Sequence, residues 1–265
     1  MSDLAIATLL GLVQGLTEFL PVSSTAHLVI AEKLFHLDPE RFGLTFDVAV
    51  HLGTALAVLL YFAGTWIGLV RDVFSGRWRL PLLVVVGTLP AAIAGVLFQS
   101  AVEDQLRDVR VVAAALVIGS LVFLAAERMA TQRVDLARIG WGTAIFMGAA
   151  QAIALIPGVS RSGITISAGL AAGVQRIDAT RLSFLLATPV IIGASAKTLL
   201  DARDASGLLA EPQLAVAGFI VSFVSGFSAV AFLVRFLRAH SLNWFIPYRL
   251  LLAAALLLAA FLGVA

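Results

Sequence analysis

Apolar residues run along this chain in long unbroken stretches rather than in the alternation of a strand or the narrow stripe of a surface helix. A helix needs about 20 apolar residues to cross roughly 30 Å of hydrocarbon. Six stretches meet that length, at about 48–70, 80–100, 109–126, 181–200, 213–237 and 244–263, and each predicts a transmembrane helix. Two more, about 4–32 and 140–173, are apolar enough to enter a bilayer but are interrupted at their centres by Pro, Gly, Ser, Thr and charge. They are too long for one clean span and too short for two. Broken backbone at membrane depth is tolerated only where protein buries it or where it lines a wet cavity, so these segments predict re-entrant helical hairpins meeting at a cavity. The expected fold is an all-α polytopic membrane protein, with six transmembrane helices plus two re-entrant helical hairpins in one integral membrane domain, 1–265. The start, Met1-Ser2-Asp3, has no basic region ahead of the first apolar segment, which predicts that this segment is retained.

Composition agrees with the pattern: 60% of residues are hydrophobic and 13% charged, too apolar for a soluble domain. A net charge of +2, from 18 Lys and Arg against 16 Asp and Glu, gives no basic footprint for nucleic acid, and none is expected as a partner. With no Cys, thiol nucleophiles, disulfides and thiolate metal sites are excluded, and any metal must take oxygen or imidazole ligands.

The two interrupted segments resemble each other. Gly11-x-x-Gln14 leads to Pro21-Val22-Ser23-Ser24, and Gly148-x-x-Gln151 leads to Pro157-Gly158-Val159-Ser160-Arg161-Ser162, with one residue fewer before the proline. A second echo joins Gly87-Thr88-Leu89-Pro90 to Ala187-Thr188-Pro189. The shared order predicts a duplicated unit, with halves of about 1–126 and 140–265 joined by the charged loop 127–138. Loop charge orients the halves. Arg71, Arg77, Arg79, Arg128, Arg133, Arg138, Arg176, Arg181, Arg235 and Arg238 fall on one face, expected to be cytoplasmic. Lys33, Arg41, Arg107, Arg110 and Arg203 fall on the other with Asp38, Glu40, Glu103, Asp104, Asp108, Asp201, Asp204 and Glu211. The first hairpin then enters from outside and the second from inside, an inverted-topology repeat.

Ionisable groups at depth mark the chemistry, since a carboxylate at the bilayer centre costs roughly 2.5–3.5 kcal/mol on insertion scales. Gln14 and Glu18 share a helix face that Pro21 ends, with Ser23, Ser24, Thr25 and His27 just beyond. The second break, Pro157 to Thr165, reads as a phosphate cradle: Gly158 lets the backbone approach a ligand, Ser160, Ser162 and Thr165 donate, and the Arg161 fork suits bidentate phosphate binding. A helix starting there would add its N-terminal N–H groups. Blander readings stand beside these. Glu18 and Arg161 could be a structural ion pair, Gln14 and Gln151 interhelical hydrogen-bond glue, and the hydroxyls hairpin caps. Asp47 and His51 read equally as polar lining or as a helix-start pair, and Tyr248-Arg249 reads first as an interfacial anchor.

With those residues in view, the chain closely resembles the bacterial undecaprenyl-diphosphate phosphatase family of the bacitracin-resistance type, over essentially its whole length. The family's Glu/Gln-x-x-x-Glu leading into Pro-x-Ser-Ser-Thr-x-His is met by Gln14 to Glu18 and Pro21 to His27. Its Pro-Gly-x-Ser-Arg-Ser-x-x-Thr is met from Pro157 to Thr165. Further similarity lies in Phe46-Asp47 to Thr54, Arg181 to Phe184 and Tyr248-Arg249. The resemblance implies a multi-pass enzyme of the bacterial plasma (inner) membrane that removes the terminal phosphate of undecaprenyl diphosphate, recycling the carrier for envelope polymers and conferring bacitracin resistance. It implies a polyprenyl diphosphate lipid as substrate among membrane lipid, and a divalent cation, Mg2+ or Ca2+, near Glu18.

On that reading Arg161 holds the scissile phosphate with Ser160, Ser162 and Thr165, and Ser23, Thr25, Gly158 and Gln14 complete the phosphate-binding set. Ser24 or water attacks, and His27 is the acid–base partner. The amide at Gln14 cannot act as a base. The rival is a transporter, because inverted repeats with broken helices also build secondary transporters. Whether the chain forms a homodimer is left open.

Overall fold

The computed structural model describes residues 2–35, 37, 42–106, 108–201 and 211–262, and among these the regular structure is helical apart from one isolated bridge between Val134 and Val174. The first half holds α1 (Asp3–Phe19), α2 (Ser24–Phe35), α3 (Leu44–Tyr61), α4 (Ala63–Phe74), α5 (Arg79–Gln105) and α6 (Val109–Met129). The second holds α7 (Trp141–Ile153), α8 (Arg161–Ala171), α9 (Arg176–Asp201), α10 (Pro212–Phe236) and α11 (Ile246–Phe261). Among the described residues five helices are long and apolar enough to cross a membrane, and a sixth if α3 and α4 are taken as one bent span. The chain is an all-α, multi-pass membrane protein.

Four of the six expected spans are found as continuous helices whose ends fall within five residues of those expected, and α11 covers most of the last, following a 3-10 turn at Leu242–Phe245. The stretch at 48–70 differs. It is not one straight helix but turns through 72° between α3 and α4. No proline causes this. Phe62, the hinge, is 7% exposed and its ring lies 5.9 Å from that of Phe184, so core packing fixes the break, and α4 leaves Ile67, Val70 and Phe74 exposed.

Two sets of contacts define the ends of the bundle. At one end Arg79 donates to the carbonyls of Ala137 and Ile139, both at 2.6 Å. Arg176 forks onto Glu127 at 3.1 and 2.6 Å, and the same carboxylate accepts from Leu242 N at 2.7 Å. Gly173 O accepts from the N–H groups of Arg133 and Val134. These bonds gather the starts of α5 and α9, the end of α6 and both outer ends of the α7/α8 pair around the 130–140 linker. At the opposite end Ala7, Leu10, Ala31, Phe42, Phe46, Val50 and Leu214 form a cluster that joins both outer ends of the α1/α2 pair to the starts of α3 and α10. Each pair thus leaves and returns at its own end, and an 11-residue α8 rises only about 16 Å. Of the charges assigned to the less basic face, Asp38, Glu40, Arg41, Arg107, Arg203 and Asp204 lie outside the described residues, as do the side chains of Lys33, Glu103, Asp104 and Asp201.

The repeated glycines explain how the hairpins seat. α1 packs chiefly on α10 and α7 chiefly on α5, so each hairpin arm lies against a span of the other half. A Cβ on Gly11 would come within 2.6 Å of Gly218 O, and one on Gly148 would overlap Gly87 O; only glycine permits that backbone approach. Gly11→Ala is expected to lower stability by about 1–3 kcal/mol, the cost of overpacking. Gly95→Ala, with nothing within 4 Å, should leave Tm unchanged or raised. Thermal unfolding in detergent checks both.

Candidate active site

The first break begins where α1 reaches Pro21. Ser23 then takes φ +74°, and its Oγ accepts from Ala26 N at 3.4 Å, capping α2. The second break repeats the device: Ser160 has φ +75° and its Oγ accepts from Gly163 N at 3.4 Å, capping α8. Each left-handed serine stands nine residues after its glutamine, Gln14 or Gln151, while the prolines are offset by one. Gly158, at φ +99°, turns the second break where a Cβ would meet Val112 O at 2.5 Å. The two breaks touch directly, with Gly158 N donating to Ser23 Oγ at 3.2 Å.

This geometry sets Ser24 and Arg161 as the first residues of two short helices that start at one place. Between them stands Glu18, from the last turn of α1. Its Oε1 is ion-paired with the Arg161 guanidinium, and its Oε2 accepts from Ser24 Oγ at 2.8 Å and Gln14 Nε2 at 3.0 Å. The Glu18 side chain is 2% exposed and that of Arg161 23%, so the arginine faces the open space. That space is a cavity of about 710 Å³ walled by Glu18, Ser23, Ser24, Thr25, Ser160 and Arg161 and also by Asp47 and His51 of α3 and Gln151 of α7. Two helix N-termini, hydroxyls and a guanidinium around one cavity make an anion site. A carboxylate bonded to a serine hydroxyl is a base beside a nucleophile.

The remaining predicted residues lie off the wall. Gly158 shapes the break, and Ser162 is buried with its Oγ 3.4 Å from Ser160 Oγ. Thr165 is fully buried with no partner for its hydroxyl. Gln14 is fully buried, its amide on Glu18. His27, expected as the acid–base group, is turned away: Nδ1 lies 2.7 Å from Ser23 O, so it donates there, and Nε2 then accepts from Tyr248 Oη at 2.5 Å, with the two rings stacked. His51 Nδ1 likewise donates to Asp47 O at 2.7 Å, leaving its ring on the cavity wall.

Arg249 is not an interfacial anchor. It is fully buried and donates to Ser120 Oγ (3.0 Å), Pro21 O (3.2 Å), Leu116 O (3.2 Å), Gly158 O (3.0 Å) and Val159 O (3.3 Å), with its guanidinium over the Phe123 ring. One side chain thereby satisfies carbonyls freed by both breaks. The available signal was an arginine inside an apolar span, which marks function or pairing; its partners, about 90 to 230 residues away in sequence, carry no local pattern.

For a divalent cation the donors are oxygen. No cluster of three or more His, Asp or Glu fit to hold a metal occurs among the described residues. Glu18 is on the cavity wall, and a diphosphate brings its own oxygens. Such a set fits Mg2+, which is commonly held by one or two carboxylates with substrate phosphates and water.

Residues 7–255 match the family described as "Bacitracin resistance protein BacA". The chain is 43% identical to an undecaprenyl-diphosphatase of Rubrobacter xylanophilus, over 96% of this chain and 97% of the relative. It is 41% identical to one of Thermodesulfovibrio yellowstonii, over 98% and 99%, and 44% identical to one of Alcanivorax borkumensis, over 95% and 97%.

Proposed function

The chain belongs to the bacitracin resistance protein BacA family, and from that premise we propose that it hydrolyses undecaprenyl diphosphate to undecaprenyl phosphate and inorganic phosphate in the bacterial inner membrane, recycling the lipid carrier and conferring bacitracin resistance. The observation that carries the chemistry is the Ser24–Glu18–Arg161 chain on the wall of one cavity.

Phosphoryl transfer asks chiefly for alignment and charge stabilisation. Arg161, the α8 N-terminus and Ser160 receive the terminal phosphate, the guanidinium turning from Glu18 to share its charge with the phosphate oxygens. Glu18 then takes the proton of Ser24 Oγ, which attacks the terminal phosphorus. The bridging P–O bond breaks and undecaprenyl phosphate leaves with its electron pair. Water cleaves the phosphoserine in the second step. A divalent cation, Mg2+ or Ca2+, held by Glu18 and phosphate oxygens would supply further charge neutralisation. His27 acts as a positioning residue, tying the Ser23 turn to Tyr248.

On the proposed inverted-repeat topology the cavity has a direction of access. The wall residues of α3, α5 and α9, among them Asp47, Gly95 and Thr198, lie from about the middle of those helices toward the end away from the arginine-rich linker. With that end cytoplasmic, the diphosphate enters from the outer face while its polyprenyl tail stays among the lipid-facing helices.

Detergent-solubilised protein should release inorganic phosphate from undecaprenyl diphosphate, a result transport cannot give without a sealed membrane. Ser24→Ala should lower kcat by roughly 10³-fold or more, as for other activated nucleophiles, with labelled phosphate trapped on Ser24 in the wild type alone. If Ser24→Ala keeps most of the activity, water attacks directly.

A further inference from the structure

Gln151 is 2% exposed and lies on the cavity wall with Glu18, Ser24 and Arg161. Its amide orientation is set from outside the cavity. The Leu186 carbonyl, three residues before Pro189 in α9, accepts from Gln151 Nε2 at 3.4 Å. With the NH2 group committed there, Oε1 is the free end, and it is buried with no hydrogen-bond partner. Leaving a buried acceptor unmade is unfavourable, so a ligand in the cavity is expected to satisfy it. A phosphate oxyanion cannot, because it brings only lone pairs; an O–H donor can. The one O–H donor the reaction consumes is water.

We propose that Gln151 is a further catalytic residue, whose Oε1 holds and aims the water that cleaves the phosphoserine. This rests on the covalent reading given above. An amide is no base, so Gln151 orients and takes no proton. The water oxygen bonds to the phosphorus of phospho-Ser24 and the P–Oγ bond breaks. Ser24 Oγ leaves with the electron pair and recovers the proton that Glu18 holds, while both hydrogens of the water depart on inorganic phosphate. A glutamine plays the corresponding orienting part toward attacking water in some GTPases. Gln14, its counterpart in the first hairpin, does not share the role, because it lies off the cavity wall with its amide on Glu18.

The test is Gln151→Met, which keeps length and volume but removes the acceptor. In rapid-quench measurements with doubly labelled substrate, the variant should release one equivalent of undecaprenyl phosphate in a fast burst. Inorganic phosphate should then follow on the order of 10²-fold more slowly than in wild type, with phosphate accumulating on Ser24. A misfolded variant gives no burst, so Gln151→Glu, which retains an acceptor, is run beside it and should restore part of the second step. Turnover within about two-fold of wild type, a loss of the burst in a variant that unfolds at the wild-type Tm, or a changed Mg2+ requirement with the burst intact would each overturn the proposal, the last making Gln151 a cation ligand. If Ser24→Ala stays active, the covalent reading falls by itself. Gln151→Met must then slow both products together at unchanged KM for the water-holding role to stand.

Discussion

Arg161→Ala should remove diphosphatase activity, lowering kcat/KM by about 10³-fold or more, the range seen when an arginine that stabilises a transferring phosphoryl group is lost. The expectation follows from the position of the side chain. Arg161 is the first residue of α8, so its guanidinium and the helix N-terminus act on the same phosphate. It also pairs with Glu18, a carboxylate whose side chain is 2% exposed. Alanine at 161 therefore leaves a buried charge alone, a change that costs about 3–5 kcal/mol in buried pairs, and lost activity could be confused with lost fold. Two further variants separate them. Arg161→Lys keeps the charge but not the planar fork, and should retain the wild-type Tm while losing most of kcat. The double variant Glu18→Gln with Arg161→Met removes both charges; it should recover thermal stability and stay inactive. An active double variant would mean that the pair is only a clamp between the two hairpins.

Much of this site is legible in the amino-acid sequence, because membrane depth makes a few residue types conspicuous. Glu18, Ser24 and Arg161 stand out as ionisable or hydroxyl groups beside a proline in otherwise apolar stretches, and they meet at one cavity. The breaks are legible for the same reason: Pro21, Pro157 and Gly158 each disfavour a continuing helix and stand among hydroxyls and charge, whereas Pro90 and Pro189 stay inside α5 and α9. What pattern does not carry is direction and distance. His27 sits three residues from Ser24 yet its ring points to Tyr248, 221 residues away. The 72° turn at Phe62 has no proline or glycine at the hinge and depends on Phe184. The paired serines at φ near +75° are also illegible locally, since serine rarely adopts that region; a shared tertiary context, the two breaks braced against each other, holds them there.

The brace itself is Arg249, and it gives the second large effect. Breaking a helix at membrane depth frees carbonyls that neither water nor lipid can satisfy. Pro21 O from the first break and Gly158 O and Val159 O from the second all accept from this one guanidinium, which Ser120 and Leu116 of α6 hold in place. Arg249→Ala leaves those acceptors without their donor and opens a void beside Phe123, so stability should fall by roughly 3–5 kcal/mol, given about 1–3 kcal/mol for each buried group left unpaired. Arg249→Lys is the informative variant. Its single ammonium has three donors and no fork, so it can bond one break but not bridge both. It should fold with a modestly lower Tm, bind substrate with nearly unchanged KM, and lose on the order of 10²-fold in kcat, because a displacement of about 1 Å between Ser24 and Arg161 is enough to spoil in-line attack. Steady-state kinetics of this variant, taken well below its unfolding temperature, decide the matter. A kcat equal to wild type at a lowered Tm would confine Arg249 to holding the fold, and a fall in kcat at unchanged KM would make it the residue that sets the two halves of the site in register.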